Sequence, residues 1–150
     1  MLTVALPDLS QTARLGQALA RALRPGDQVV LRGDLGCGKT TLAGAVIQAL
    51  GAPGPVKSPT YTLIEEYELG DLRVVHADLY RLRAPAELEM LGWRDYQDGR
   101  TLMLVEWPER APGILRADVD VWLTVTDDER QAHLQGISPR GGEVVDSLRP

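Results

Sequence analysis

Eight consecutive residues, Gly33-Asp34-Leu35-Gly36-Cys37-Gly38-Lys39-Thr40, constrain this chain more than any other stretch. The glycines let the backbone take left-handed angles that side chains resist. Before them, Val29-Val30-Leu31 reads as a short buried strand; after them, residues 40–50 read as a helix stopped at Gly51. A strand that turns through glycines directly into a helix aims successive amide N–H groups at one small hollow. The first helical turn adds its own unpaired amides and the positive end of its dipole. Such a hollow suits an anion.

The run matches G-x-x-x-x-G-K-[ST] at every fixed position, in the strand-then-helix context that gives the pattern its meaning. With 15 Gly, 2 Lys and 13 Ser plus Thr among 150 residues, the pattern should arise by accident roughly once in several hundred such chains. The expected occupant is therefore the triphosphate of ATP with Mg²⁺. Lys39 would reach the β- and γ-phosphates as a compact charge, and the Thr40 hydroxyl would ligate the metal. Cys37 is expected to be a small filler of the loop. The alternative is a thiol made reactive by the adjacent helix N-terminus.

Composition narrows the class. Apolar residues make up 44% and charged residues 25%, which is globular rather than disordered. No apolar run approaches the ~18–20 residues that span a bilayer, and the first eight residues lack a basic leader region. Cys37 is the single cysteine, so no internal disulfide can form, which fits a reducing cytoplasm. The net charge of −5 gives no global push toward nucleic acid. Only Lys39 and Lys57 are lysines; the other 14 basic residues are arginines.

Along the chain, Ser10 can cap a helix in which Ala13, Leu15, Ala18, Leu19, Ala22 and Leu23 recur at helical spacing, ended by Pro25-Gly26-Asp27. Residues 61–67 and 72–76 form a hairpin pattern through Gly70-Asp71. A short helix is expected over 86–91, and a nearly continuous apolar strand over 101–105. Residues 119–125 and 132–137 alternate around Asp127-Asp128-Glu129-Arg130, a second hairpin. The expectation is an α/β fold: a P-loop NTPase-like three-layer sandwich with a mixed, mostly parallel central sheet and β-hairpins. One domain spans 1–138, and 139–150 reads as a polar C-terminal tail, partly ordered at best.

Glu106 closes the apolar run Leu102-Met103-Leu104-Val105. An acid at the C-terminal end of a central strand points at the crevice where a phosphate loop opens. There it can hold the Mg²⁺ shell or orient the attacking water. Asp78, after Val74-Val75, is a second candidate for the same work, and spacing does not decide between them. Thr60, about twenty residues past Lys39, lies where a switch segment often crosses back over nucleotide, with a hydroxyl in reach of Mg²⁺; the alternative is simple turn chemistry from Ser58-Pro59. His76 and Tyr80 flank Asp78 and read as packing residues. Trp107 reads first as core, with nucleotide stacking or partner anchoring as alternatives.

Taken together and in order, four blocks resemble the TsaE (formerly YjeE) family, the bacterial ATPase of tRNA threonylcarbamoyladenosine biosynthesis. They are the glycine-rich run extended to Thr41, Ser58-Pro59-Thr60-Tyr61-Thr62-Leu63, His76-Ala77-Asp78-Leu79-Tyr80-Arg81-Leu82 and Val105-Glu106-Trp107-Pro108-Glu109. From Gly33 to Glu109 they span about half of the chain. The resemblance implies an ATPase that is weak alone and acts with TsaD and TsaB, which install threonylcarbamoyl on adenosine 37 of tRNAs reading ANN codons. It implies tRNA contact through those partners only. By similarity Thr40 and Glu106 are magnesium-side residues, Thr60 is switch-like, Asp78 belongs to the acidic site and Trp107 is a nucleotide-site aromatic. The family commonly has Ala where Cys37 stands and Phe where Tyr61 stands.

Two rival readings follow from the residues. A small-molecule P-loop kinase would close an arginine-bearing lid; Arg81 and Arg83 are the nearest paired arginines, without a lid-sized insertion. A non-hydrolytic module would use ATP occupancy alone to organise an interface.

Overall fold

The continuous apolar runs 29–31 and 102–105 have the pattern of strands buried on both faces, and the fold sets them side by side at its centre. A computed structural model describes residues 1–127 and 129–150. Its elements in chain order are β1 (Leu2–Ala5), α1 (Leu9–Ala22), β2 (Gln28–Arg32), α2 (Lys39–Ala49), β3 (Ile64–Leu69), β4 (Leu72–Asp78), α3 (Ala86–Met90), α4 (Trp93–Tyr96), β5 (Thr101–Glu106), β6 (Val119–Thr126), β7 (Glu129–Gly136) and α5 (Pro139–Ser147), with a 3₁₀ turn over Pro108–Arg110 before β6.

Among the described residues the strands form one seven-stranded sheet in the order β1-β7-β6-β2-β5-β4-β3. The four inner strands β6, β2, β5 and β4 run parallel. The flanks β1–β7, β6–β7 and β3–β4 pair antiparallel. The expected mixed sheet is present, but "mostly parallel" is corrected to an even division, because both hairpins and the N-terminal strand add antiparallel pairs. The second hairpin reaches its turn at Asp127, φ +50; Asp128, which the sequence places in that turn, lies outside the described residues.

Alternation along each strand divides the apolar residues between two cores. Val29, Leu31, Leu102, Leu104 and Val121 pack with Leu19, Leu42 and Ile47 of α1 and α2. Val30, Val75, Met103 and Val105 pack on the other face with Leu88 and Trp93 of α3 and α4. The parallel strands β2, β4 and β5 consequently end at one edge of the sheet, where crevices form in open α/β sheets.

Two local expectations need correction. The cap of α1 is Asp8, not Ser10: the Asp8 carboxylate accepts from the Gln11 N–H at 3.0 Å and from the Ser10 hydroxyl at 2.8 Å. These bonds, led by that of Ser10, hold the Asp8 carboxyl below its ordinary range. The segment from Pro139 is no loose tail. Ser138 caps α5 by accepting from the Gly141 N–H at 2.9 Å, and α5 buries Val144 and Val145 in the first core. The Arg140 guanidinium donates to both oxygens of Asp27, at 3.1 and 3.0 Å, and to the Ala22 carbonyl at 2.7 Å. The folded unit therefore extends through α5.

Candidate functional site

The loop between β2 and α2 bends through Gly33 (φ +143), Gly36 (φ +79) and Gly38 (φ +107). A Cβ on Gly33 would lie 2.5 Å from Cys37 Sγ and 2.6 Å from the Leu123 carbonyl oxygen, so the loop closes tightly on itself. Lys39, the first residue of α2, is 5% exposed. Its ammonium donates to the carbonyl of Gly33 and, at 3.1 Å, to that of Asp34. It also lies 4.1 Å from the centre of the Trp107 ring, a cation–π contact. Trp107 holds a left-handed backbone, φ +57, and its ring meets Tyr80 at 5.0 Å. Strained backbone at such a residue persists only where the surroundings over-determine it.

At the next residue, the Thr40 hydroxyl lies 2.8 and 3.0 Å from the two oxygens of Glu106. Glu106 Oε2 is also 2.6 Å from His76 Nε2. Asp78 and Glu106 are register partners on β4 and β5. Burial pushes the Asp78 carboxyl above its ordinary range; the Tyr80 N–H, bonded to it at 3.0 Å, opposes this, and the charge of Glu106 adds to it. These groups open into a cleft of about 370 Å³ that also reaches Thr60 and Arg81. The site thus sets a cation, a hydroxyl and two carboxylates around one opening. Thr40, Glu106, Asp78 and Thr60 are all oxygen donors, the chemistry that suits a hard cation such as Mg²⁺.

A family model for TsaE, described as threonylcarbamoyl adenosine biosynthesis protein, matches residues 6–134. The chain belongs to the TsaE family. A Haemophilus influenzae relative, named tRNA threonylcarbamoyladenosine biosynthesis protein TsaE, is 41% identical over 153 residues, covering 98% of this chain and 97% of the relative. A Synechocystis relative of the same name is 44% identical over 111 residues, 71% of this chain and 70% of its own. A crystal structure of Bacillus subtilis YdiB superposes with a TM-score of 0.81 at 28% identity, covering 98% of this chain and 93% of YdiB.

In this TsaE-family chain the cleft brings together Leu35, Gly36, Gly38, Lys39, Thr40, Thr41, Thr60, Asp78, Glu106 and Trp107 from the residues singled out in the sequence. Gly33, Asp34 and Cys37 do not line it: the first two turn their carbonyls to Lys39, and Cys37 is buried with its Sγ 3.8 Å from the same ammonium. The Thr60 hydroxyl is paired with that of Ser58 at 2.7 Å. Sequence reasoning read His76 as packing and missed its contact with Glu106. The signal was available, since His76 and Asp78 are two apart on one strand and share a face. Arg130 was also missed. Its guanidinium end lies 3.7 Å from where a Gly38 Cβ would sit, a proximity set by the β6–β7 pairing that no local pattern announces.

Proposed function

We propose that this chain binds Mg-ATP in the cleft and hydrolyses it in the service of tRNA threonylcarbamoyladenosine biosynthesis, the pathway after which its family and relatives are named. The observation that carries the reading is the Thr40–Glu106 contact beside the Lys39 ammonium at the start of α2. It is the arrangement a P-loop needs, with a hydroxyl bonded to a strand-end acid and a cation at the phosphate position. The strand–loop–helix and the parallel centre of the sheet support a P-loop NTPase-like sandwich.

The loop amides and Lys39 would hold the phosphates, while Thr40 and Glu106, joined by Thr60 after a shift of its segment, would hold Mg²⁺. The metal supplies charge neutralisation on the phosphate oxygens. Magnesium takes few carboxylates, here the one of Glu106, and leaves positions to phosphate and water. Asp78, the register partner of Glu106 with a carboxyl pushed above its ordinary range by burial, would accept a proton from the attacking water. Trp107 would cover the phosphate end as a nucleotide-site aromatic.

Partner-dependent turnover with TsaD and TsaB, tRNA contact through those partners and work in the cytoplasm complete the reading. Among the described residues no helix is long and apolar enough to cross a membrane, and the charge of −5 favours leaving tRNA to the partners. Calorimetry with Mg-ATP, followed by release of label from γ-labelled ATP, tests the proposal. Binding with free phosphate as product supports it. Labelled metabolite from a substrate panel would mean a kinase, binding without turnover in the presence of the partners would mean a non-hydrolytic module, and no binding would remove the proposal.

A further inference from the structure

Glu106 is 2% exposed and His76 is not exposed at all. Their contact, 2.6 Å between His76 Nε2 and Glu106 Oε2, is the polar engagement the imidazole makes among the described residues, for Nδ1 has no hydrogen-bond partner there. Packing alone would not require this: an apolar side chain of similar volume would fill the space without burying two nitrogens. We propose that His76 is a positioning residue, which donates Nε2–H to Glu106 and fixes that carboxylate in the orientation that meets Thr40 and the metal. The inference rests on the reading of the cleft as a Mg-nucleotide site.

The sheet explains how His76 comes to this place. His76 pairs with Leu104 and Asp78 pairs with Glu106 across the parallel β4–β5 ladder. His76 therefore sits one side-chain repeat below Glu106 on the same face, and its ring reaches up to the carboxylate from the interior. Thr40 approaches the same carboxylate from α2. A carboxylate is an acceptor only, so the ring nitrogen facing it carries the hydrogen and Nδ1 is bare in the neutral ring. Held by a buried imidazole on Oε2 and a hydroxyl nearest Oε1, the Glu106 carboxylate is confined to a single orientation. Without the imidazole it would have one donor, supplied by the very hydroxyl that must also turn a lone pair to the metal. Outer groups of this kind are worth about 10–100-fold in metal affinity.

The test compares His76→Gln, whose amide nitrogen keeps the reach of Nε2, with His76→Asn, which is one methylene shorter. Calorimetry measures nucleotide affinity in EDTA and in Mg²⁺, and the ratio reports the contribution of the metal. The expected result is EDTA affinity within about twofold of wild type in both variants. His76→Asn loses about 10–100-fold of the magnesium gain, and His76→Gln recovers most of it. A wild-type magnesium gain in His76→Asn would overturn the proposal. In the nucleotide-free protein, ¹⁵N NMR of the imidazole should report the Nε2–H tautomer, with a signal that moves in Glu106→Gln; an Nδ1–H tautomer would overturn the proposal without touching the nucleotide reading. Wild-type protein that binds no nucleotide in either buffer would instead sink the nucleotide reading, and with it the metal-directed role.

Discussion

Thr40 and Glu106, at the start of α2 and the end of β5, meet through a hydroxyl that lies 2.8 Å from one carboxylate oxygen and 3.0 Å from the other. Thr40→Ser keeps that hydroxyl and should retain Mg-ATP affinity within a few-fold. Thr40→Ala should lose about 10–100-fold of the affinity that magnesium adds, while affinity in EDTA changes little. Titration calorimetry in the two buffers checks this. Equal magnesium gains in Thr40→Ala and wild type would detach the hydroxyl from the metal.

Asp78 accepts from the Tyr80 N–H and carries a pKa raised first by burial. Its ionisation therefore works against the fold. As an acid whose folded pKa stands above its unfolded value, it contributes stability that is complete below the unfolded value and fades as pH rises through the folded one. Asp78→Asn keeps an acceptor for Tyr80 and removes the charge. The variant should be at least as stable as wild type at pH 7 in urea denaturation, yet hydrolyse ATP about 10²–10⁴-fold more slowly, the range for a lost general base. Unchanged hydrolysis would remove Asp78 from the chemistry.

Tyr96 does not line the cleft and offers a cleaner pH marker. Burial, then its hydrogen bond to the Glu66 carboxylate, pushes its phenol from 10.0 up to about 12. The neutral phenol is the favoured form in the folded state, so its contribution is whole below pH 10 and disappears as pH rises toward 12. Tyr96→Phe should cost about 1 kcal/mol at neutral pH. The advantage of wild type over the variant should shrink across that alkaline window in urea titrations. A difference that stays flat from pH 9 to 12 would contradict the assignment.

The C-terminal helix gives a stability test. Asp27 is 5% exposed and takes two bonds from Arg140. Arg140→Ala should cost about 3 kcal/mol, the low end for breaking a buried pair, because the Arg140 side chain keeps 25% of its surface in water. Deleting 139–150 would remove Val144 and Val145 from the core as well, and should leave a chain that fails to unfold cooperatively on heating.

The central strands and the phosphate loop were legible because each is announced by local pattern: unbroken apolar runs for Val29–Leu31 and Leu102–Val105, fixed glycines for the loop. Helix α5 was not, since Gly141 and Gly142 are poor helix formers and read as a breaker. The fold explains the first of them. A Cβ at Gly141 would lie 1.6 Å from the Asp118 carbonyl oxygen, so this glycine permits close approach rather than disorder. Strand β1 escaped for a different reason: four residues beside Pro7 carry little signal until β7 offers them an edge. In the candidate site, the acids and Lys39 could be named from sequence. Their grouping with His76 and Arg130 depends on which strands pair, and pairing is a property of the whole chain.

The pairing of Asp78 with Glu106 in the β4–β5 ladder means that main-chain hydrogen bonds, rather than side-chain packing, fix the gap between the two acids at about one strand spacing, ~4.8 Å. Substitutions in either core can drift without changing that gauge. Thr60 brings a lip of the cleft from the segment 51–63, which has neither helix nor strand. Adaptation to new companions or new turnover rates can therefore act on the lip, while the acidic jaw keeps its bite.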